Sequence, residues 1–411
     1  MIFENHTCLR LRVGSAMEHF RNVVPAIINA CRGNQTDGNR FHVGMHPSFL
    51  PERKVGMIIE DRPYQRQCVD AVMEHFRNGI RAVMLEAPVG SGKTIMGLMI
   101  AALLQRMSPG KKLSCAWVAP RHTLLDQLVE ANRYFGLSVT PVSMFARTAR
   151  HYDIVVLDEA HHEATNSFIQ MFQLMSPNYL LGLSATPLRT DKMKLAFNET
   201  VNLCSIRSLI ADDYLSRFQV FSIDSMTPES AAEHYLRSPE KWGKTIVFMP
   251  TLEECRRFRE LLFAKGVECP VVAGNTNNDY TLESFRRRNL KIVVNCHLLS
   301  EGFDLPDLQT VFLKDASRLP TVQMAGRVLR KHPGKRLANI VQSKQTRYPV
   351  QKIANPETVW NWSGDRFYVV SGRNDRIRDI VLQNLRQREA RGELKISKFW
   401  SSGPAKEKVY V

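Results

Sequence analysis

The sequence predicts an α/β protein in which two parallel sheets follow one another along the chain. Short apolar segments of strand length alternate with helix-length amphipathic patterns from about residue 57. A polar, irregular stretch at about 190–240 interrupts this alternation, which then resumes. Strands that alternate with helices are typical of parallel sheets covered on both faces. The 411 residues leave room for two or three domains of this kind.

The elements of the two sheets can be placed in order along the chain. The first domain is predicted over 56–220, with strands at 82–86, 114–118, 154–157 and 180–184 and helices at 93–107, 122–135 and 166–175. The second is predicted over 221–342, with strands at 245–249, 269–273, 292–295, 310–313 and 337–341 and helices at 251–265, 280–288 and 320–331.

A small α/β module and a basic extension are predicted at the two ends of the chain. Residues 1–55 carry two strand patterns around a helix pattern, and residues 343–411 form the extension, with a helix expected over 375–390. Residues 331–411 hold 17 Lys or Arg against 7 Asp or Glu, out of a net charge of +16 for the chain. Such a balance favours a nucleic-acid partner. Trp360, Trp362 and Trp400 are expected to pack rather than to stack on bases.

Composition argues against several other classes of protein. Hydrophobic residues make up 44% and charged residues 23%, which is typical of a globular protein. The 8 cysteines stand singly, so neither a zinc ribbon nor a disulfide framework is predicted. The longest apolar stretch, 95–104, is too short to span a bilayer, and no signal-peptide pattern opens the chain. We expect a monomer without a membrane partner, cytoplasmic in a bacterium or phage-infected host and nuclear in a eukaryote.

A glycine-rich loop follows the first predicted strand and opens a helix, as a phosphate-binding loop must. Small residues let backbone N–H groups approach the phosphates, and the helix N-terminus adds a favourable dipole. Lys93 is expected to reach the β- and γ-phosphates of ATP and Thr94 to ligate Mg²⁺. The nucleotide-binding loop consists of Ala87, Pro88, Val89, Gly90, Ser91, Gly92, Lys93 and Thr94, with Ala87 where the common pattern has glycine.

Two acidic residues end the apolar strand at 154–157. Carboxylates at the carboxyl end of a parallel strand face the crevice where such sheets bind ligands. Asp158 is therefore predicted to hold Mg²⁺ through water, and Glu159 to orient or deprotonate the attacking water.

Two arginines three residues apart are predicted to lie on one face of the helix at 320–331. Arg327 and Arg330 could both reach a γ-phosphate that develops charge in the transition state. The alternative, surface charge on a basic helix, is weakened by the segment 301–304, in which Gly302 and Asp304 are expected at the nucleotide.

Taken in order, these motifs resemble those of superfamily 2 helicases with two RecA-like domains, over roughly residues 57–342. The resemblance implies that Gln65 hydrogen-bonds adenine and that Arg62 stacks on it. It also implies that Pro120 and Arg121 contact the nucleic-acid backbone. Ser184 and Thr186 are implied to couple hydrolysis to movement. Gln323, Arg327 and Arg330 are implied to belong to the last motif, in which the two arginines act as fingers.

The segments 183–191 and 208–216 are similar to the branch that contains XPB, the motors of type III restriction enzymes and phage UvsW-type helicases. In one departure, Cys296 stands where the family often has a phosphate-contacting threonine. The resemblance implies an ATP-dependent DNA helicase or translocase that acts on single-stranded or branched DNA.

Three other functions remain open. An RNA helicase or RNA-stimulated ATPase is the first, although the sequence shows no RNA-specific module. The motor subunit of a restriction nuclease is the second, because Asp365 and the segment 393–395 have the spacing of one nuclease motif. A conformational switch that hydrolyses ATP without unwinding is the third.

Overall fold

The computed structural model describes residues 60, 62–108, 110–146, 150–162, 166–186, 197–274, 278–287, 290–296, 299, 305–372, 384, 387–388 and 391. The predictions for the N-terminal module, Gly302, Asp304, Trp400 and the segment 393–395 fall outside the described residues, as does nearly all of the helix expected over 375–390. Within the described part of the chain, no helix is both long and apolar enough to cross a membrane.

The first sheet is parallel throughout and has six strands in the order β3-β2-β4-β5-β1-β6. The strands are β1 Ala82–Glu86, β2 Cys115–Ala119, β3 Val139–Ser143, β4 Ile154–Asp158, β5 Tyr179–Ser184 and β6 Glu199–Val201. β1 and β4 flank β5, so the loops that leave these three strands meet at the carboxyl edge of the sheet.

Helices cover both faces of this sheet because each carries an apolar side. They are α1 Pro63–Arg77, α2 Lys93–Arg106, α3 His122–Phe135 and α4 Asn166–Met175. Proline at the first helical position suits the start of α1, and Gly136, with φ of 64°, ends α3 in the left-handed conformation. The side chain of Trp117 on β2 is fully buried beneath α2, where a Cβ at Gly97 would come within 2.6 Å of its ring.

The second sheet has eight strands in the order β14-β13-β7-β12-β11-β8-β10-β9. The strands are β7 Phe218–Ile223, β8 Thr245–Phe248, β9 Val271–Ala273, β10 Ile292–Cys296, β11 Thr310–Phe312, β12 Ala338–Ser343, β13 Thr358–Ser363 and β14 Arg366–Gly372. Only the β13–β14 pair is antiparallel among the described pairings. The α/β class and the two parallel sheets are therefore confirmed.

Six further helices accompany the second half of the described chain: α5 Ile206–Ala211, α6 Pro228–Arg237, α7 Pro239–Trp242, α8 Leu252–Phe263, α9 Asp279–Arg286 and α10 Arg318–Val328. Local capping fixes several of their starts. Thr251 and Glu254 form a capping box at α8, and Ser205 and Ser208 form another at α5.

The structure corrects the boundaries drawn from sequence. Strand β7 starts at Phe218 and pairs with β12, so the second unit begins before residue 221. The stretch at 190–240, expected to be irregular, contains β6, α5, β7 and α6. Residues 343–372 are not a separate extension, because β13 pairs with β7 and extends the second sheet. Trp362 is buried and Trp360 stacks on Phe221 at 5.9 Å, so both pack, as expected.

Candidate active site in the cleft between the sheets

The loop between β1 and α2 has the backbone that phosphate binding requires. Gly90 and Gly92 have φ of 83° and 82°, a conformation that side-chain-bearing residues rarely adopt. The loop is held by Ser91, whose hydroxyl donates to the Pro88 carbonyl at 2.7 Å. Ala87 is not among the described residues with positive φ, and its N–H donates to the Ser184 carbonyl at 2.9 Å. A residue with a Cβ is therefore accepted at position 87.

Lys93 lies at the start of α2, with its ammonium turned back over the loop. Its Nζ donates to the carbonyls of Ala87 at 3.3 Å and Pro88 at 3.5 Å. Burial lowers the pKa of Lys93, and the nearby carboxylates of Glu159 and Asp158 act in the opposite direction. A buried cation between loop carbonyls and acidic groups is suited to receive an anion.

The two acidic residues at the carboxyl end of β4, Asp158 and Glu159, are buried. Burial, together with the neighbouring Glu159 carboxylate, raises the pKa of Asp158 to about 6. Asp158 Oδ1 accepts the Glu159 N–H at 3.0 Å. Glu159 has a φ of 50°, a strained value for a residue with a side chain, and such strain is common at functional sites. Its Oε2 is buried and accepts no hydrogen bond from the described residues.

His161 connects the carboxylate end of the site to both sheets. Its Nδ1 lies 3.5 Å from Glu159 Oε2 and 3.4 Å from Ser184 Oγ. Its Nε2 lies 3.4 Å from Gln323 Nε2 on α10. The Ser184 hydroxyl also donates to the Thr186 carbonyl at 2.7 Å. A chain of polar groups thus runs from Glu159 to the second sheet.

The second sheet contributes its two arginines to the same place. Arg327 is 6% exposed near the end of α10, and burial lowers the pKa of Arg330 to about 10, so its guanidinium is charged at neutral pH. The charges of both arginines act on Lys93. The helix approaches the phosphate-binding loop closely, since a Cβ at Gly326 would come within 2.7 Å of the Val89 Cβ.

Arg330 does not lie on the helix, contrary to the sequence prediction. α10 ends at Val328, and Arg330 forms an isolated antiparallel bridge with Leu215. The Ser216 N–H donates to the Leu329 carbonyl at 2.7 Å, and its hydroxyl donates to the Arg330 carbonyl at 2.9 Å. These bonds take the place of a last helical turn and hold Arg330 against the segment that joins the two sheets.

That joining segment, Asp213 to Ser216, contacts each part of the cleft. A Cβ at Gly90 would lie 3.1 Å from the Leu215 side chain. Asp213 pairs with Lys331, and Tyr214 packs edge-on against Tyr64 at 4.9 Å.

The end of the cleft at α1 presents the residues implied for adenine. Gln65 Nε2 and the Tyr64 hydroxyl donate to the Ser91 carbonyl at 2.8 Å and 2.7 Å. The Arg62 guanidinium pairs with Glu60 and lies 5.7 Å from the centre of the Tyr214 ring. Arg62 and Gln65 therefore lie together beside the phosphate-binding loop.

A cavity of about 640 Å³ unites these groups. Its lining includes Arg62, Gln65, Gly90, Lys93, Thr94, Asp158, Glu159, Tyr214, Arg327 and Arg330. Pro120 and Arg121 lie at the carboxyl end of β2, directly before α3, and are not among the lining residues. The cavity thus brings together most of the described residues expected at ATP, whereas Gln323, Pro120 and Arg121 lie outside its lining.

Sequence reasoning assigned no individual role to His161, Tyr214 or Leu215. His161 follows the acidic pair by two residues in the same motif, and that position was a usable signal. Tyr214 and Leu215 lie in the segment 208–216, which the family resemblance pointed to, but no hydrophobic periodicity placed them at the cleft.

Comparison with known proteins identifies the two halves. The family described as "Type III restriction enzyme, res subunit" matches residues 58–140 and 143–189, and the "Helicase conserved C-terminal domain" matches 226–332. A Schizosaccharomyces pombe protein with the assigned name mitochondrial ATP-dependent helicase irc3 is 25% identical over 67% of this chain and 56% of its own length. The DNA 3'-5' translocase XPB2 of Sulfurisphaera tokodaii is 22% identical, over 70% of this chain and 82% of its own length.

A similar fold is found in the solved structure of S. cerevisiae Dbp5 bound to RNA and ADP BeF3, with a TM-score of 0.53 and 16% identity over 78% of this chain and 97% of that one. The chain spans roughly 51–60% of the length of the first curated relatives that it matches. The matched halves, each with its RecA-like sheet, meet around one cleft that holds both the phosphate-binding loop and the two arginines. The chain belongs to the superfamily 2 helicases.

Proposed function

We propose that the protein is an ATP-dependent DNA helicase or translocase that unwinds or remodels single-stranded or branched DNA. One observation carries the ATPase part of the proposal. Lys93, Asp158 and Glu159 from the first sheet line the same cavity as Arg327 and Arg330 from the second. A site shared between two bodies can open and close, so that ATP binding and hydrolysis alter the grip on a bound strand.

The chemistry of the site suits hydrolysis of a nucleoside triphosphate. The backbone of the loop and Lys93 would hold the β- and γ-phosphates, and Glu159 would orient the attacking water with Oε2, which accepts no hydrogen bond from the described residues. Arg327 and Arg330 would stabilise the charge that develops on the γ-phosphoryl oxygens. His161, which lies near Glu159, Ser184 and Gln323, would transmit a change in the position of the Glu159 carboxylate to the other two side chains.

The residues present also fit a magnesium ion. Thr94 lies in the first turn of α2, and Asp158 is a buried carboxylate that lines the same cavity. Burial and the Glu159 charge raise the pKa of Asp158 to about 6. A divalent cation would relieve that unfavourable negative charge. Thr94 and Asp158 would hold it with the phosphates, and the ion would neutralise phosphate charge during hydrolysis.

DNA is the preferred partner for three reasons. The net charge of +16 favours a polyanion. The first family match is named for a type III restriction enzyme, and one relative is named a DNA translocase. Pro120 and Arg121 lie at the carboxyl end of β2 and are not among the residues that line the ATP cavity, and contacts to phosphates there would hold a strand without reading its sequence.

The test is the ATPase rate with no nucleic acid, single-stranded DNA, duplex DNA, four-way-junction DNA and RNA, with Lys93→Ala as the blank. We expect the strongest stimulation by single-stranded or branched DNA, followed by strand displacement on a junction. Stimulation by RNA alone would overturn the choice of DNA and establish the RNA helicase instead. ATP hydrolysis without strand displacement on any substrate would identify the conformational switch.

A further inference from the structure

Two exposed aromatic side chains, one in each half of the protein, lie near the edge of the sheet where the parallel strands end. Phe145 follows β3 in the first sheet and is 59% exposed. Tyr280 follows β9 in the second and is 85% exposed. β3 and β9 are both edge strands, so each residue follows the edge strand of its own sheet, Phe145 in the turn after β3 and Tyr280 in the helix after β9.

The backbone holds Phe145 in place. The N–H of the preceding residue, Met144, donates to the Ala119 carbonyl at 2.9 Å, and the Met144 side chain is fully buried. Ser143 closes the turn, because its hydroxyl accepts the Phe145 N–H at 3.3 Å. Ala119 is the last residue of β2, so Phe145 lies beside the start of the Pro120–Arg121 segment.

Tyr280 is held in a similar way. The buried Asn278 donates from Nδ2 to the carbonyl of Ala273, the last residue of β9, at 2.7 Å. Ala273 pairs with Cys296 at the end of β10. The Leu282 N–H donates to the Asn278 carbonyl at 2.8 Å, which places Tyr280 in the first turn of α9. The backbone of Tyr280 is therefore held near the carboxyl end of β9, and its ring is exposed there.

We propose that Phe145 and Tyr280 each stack on a base of one single strand of DNA that crosses both sheets. The inference rests on the proposed function, which supplies the strand. An isolated exposed aromatic residue is ordinary, but two that lie near the carboxyl ends of the edge strands of the two sheets, one after β3 and one in the first turn of α9, are suited to a ligand that spans both sheets. Aromatic rings stack on any base, so these contacts tolerate every sequence while giving the strand fixed positions.

The chain offers a matched control in Phe263, which is 77% exposed. It is the last residue of α8, a helix that starts directly after β8 and runs back towards the amino edge of the sheet. Phe263→Ala removes a comparable exposed ring from the opposite edge.

The experiment measures binding of a labelled oligothymidylate and of an abasic sugar-phosphate strand of the same length, in low salt. Wild-type protein should bind oligothymidylate at least tenfold more tightly than the abasic strand. Phe145→Ala and Tyr280→Ala should each weaken oligothymidylate binding about five- to hundredfold and leave abasic binding unchanged. Phe145→Trp and Tyr280→Phe retain a ring and should restore it, and Phe263→Ala should match wild type.

The inference is overturned if both alanine variants bind oligothymidylate as wild type does, or if they lose the two strands equally. Because all three rings are exposed, their removal should leave the protein folded. Thermal unfolding of each variant checks this. A wild-type protein that binds neither strand, and whose ATPase no nucleic acid stimulates, would instead refute the proposed function before any variant is compared.

Discussion

The two halves of the cleft are built in different ways. In the first sheet, Lys93 comes from the helix after β1, and Asp158 and Glu159 lie at the carboxyl end of β4. β1 and β4 flank β5, so the parallel fold alone brings these residues together. In the second, Arg327 comes from a helix and Arg330 from a bridge to the joining segment. The first half is a rigid set of neighbours, whereas the second depends on contacts that cross the cleft.

That difference suggests a division of labour. The groups that would bind nucleotide and metal belong to one sheet and need no closure to meet. The groups that would stabilise the transition state act on Lys93 from the second half, where α10 lies against the phosphate-binding loop at the Gly326–Val89 approach. Catalysis would then depend on closure more strongly than ATP binding does.

Removal of an arginine from the second half should have the largest effect on catalysis alone. Arg330→Ala should lower kcat about 10³-fold or more, because an arginine finger acts chiefly on the transition state. ATP affinity should fall much less than it does in Lys93→Ala. Single-turnover hydrolysis and binding of a labelled nucleotide separate the two effects. Arg330→Lys should restore little, since an ammonium lacks the planar fork. A kcat within tenfold of wild type would refute a finger role.

Removal of the carboxylate from the first half should be nearly as severe. Glu159→Gln keeps the shape of the side chain but not its basicity, so kcat should fall about 10²- to 10⁴-fold while ATP and nucleic acid still bind. Asp153, at the other end of the strand, provides the control: despite burial, hydrogen bonds from Ser114 and Lys111 lower its pKa to about 2. Asp153→Asn should reduce stability and leave kcat near that of wild type. A Glu159→Gln variant that loses stability but keeps its kcat would show that Glu159 has a structural role and not a catalytic one.

A change at the contact between the halves should act on closure. Gly326→Ala adds a Cβ within 2.7 Å of the Val89 Cβ, so α10 must move away from the loop. We expect kcat to fall about tenfold because of this displacement. The loss would not come from an unstable helix, since alanine is a better helix former than glycine. Steady-state ATPase measures the loss. Val89→Gly removes the atoms that collide and should restore part of the rate in the double variant. A single variant as fast as wild type would mean that closure tolerates a wider gap.

The comparison also explains what the sequence could predict. A glycine-rich loop after one strand and an acidic pair at the end of another have local patterns, and the parallel fold places them at one edge. The position of Lys93 beside Asp158 and Glu159 could therefore be predicted from the sequence. The place of Arg330 was predicted wrongly. Its helix pattern continues past Val328, but the bridge to Leu215, 115 positions earlier in the chain, takes over the backbone there.

The misplaced boundaries have the same cause. Residues 343–372 carry basic residues that suggested an extension, yet Trp362 and Phe367 pack on His234 and join the core of the second sheet. α5 and α6 begin at Ser205 and Thr227 through capping bonds in a segment with little hydrophobic periodicity. Pairing across the chain and capping decide such elements, and neither has a repeat in the sequence.

The smallest effect on the cleft should come from a substitution of Lys335, which lies beneath the end of α10 and stabilises the second half. Its buried Nζ donates to the carbonyls of Pro306 and Leu308 at 3.0 Å and of Val328, the last residue of α10, at 2.8 Å. Lys335→Met leaves these carbonyls without that donor and should lower the free energy of unfolding by about 1–3 kcal/mol.

The pH dependence of that loss has a definite sign. Burial lowers the pKa of Lys335 to about 8 in the folded protein, while the unfolded chain keeps its proton to about pH 10. Between these values the unfolded state binds more protons, so folding is favoured as the pH rises. The stability difference between wild type and Lys335→Met should therefore be about 1 kcal/mol larger at pH 9 than at pH 7, measured by urea unfolding. A difference that shrinks over that interval would show that the folded protein holds the Lys335 proton more tightly than the unfolded chain does.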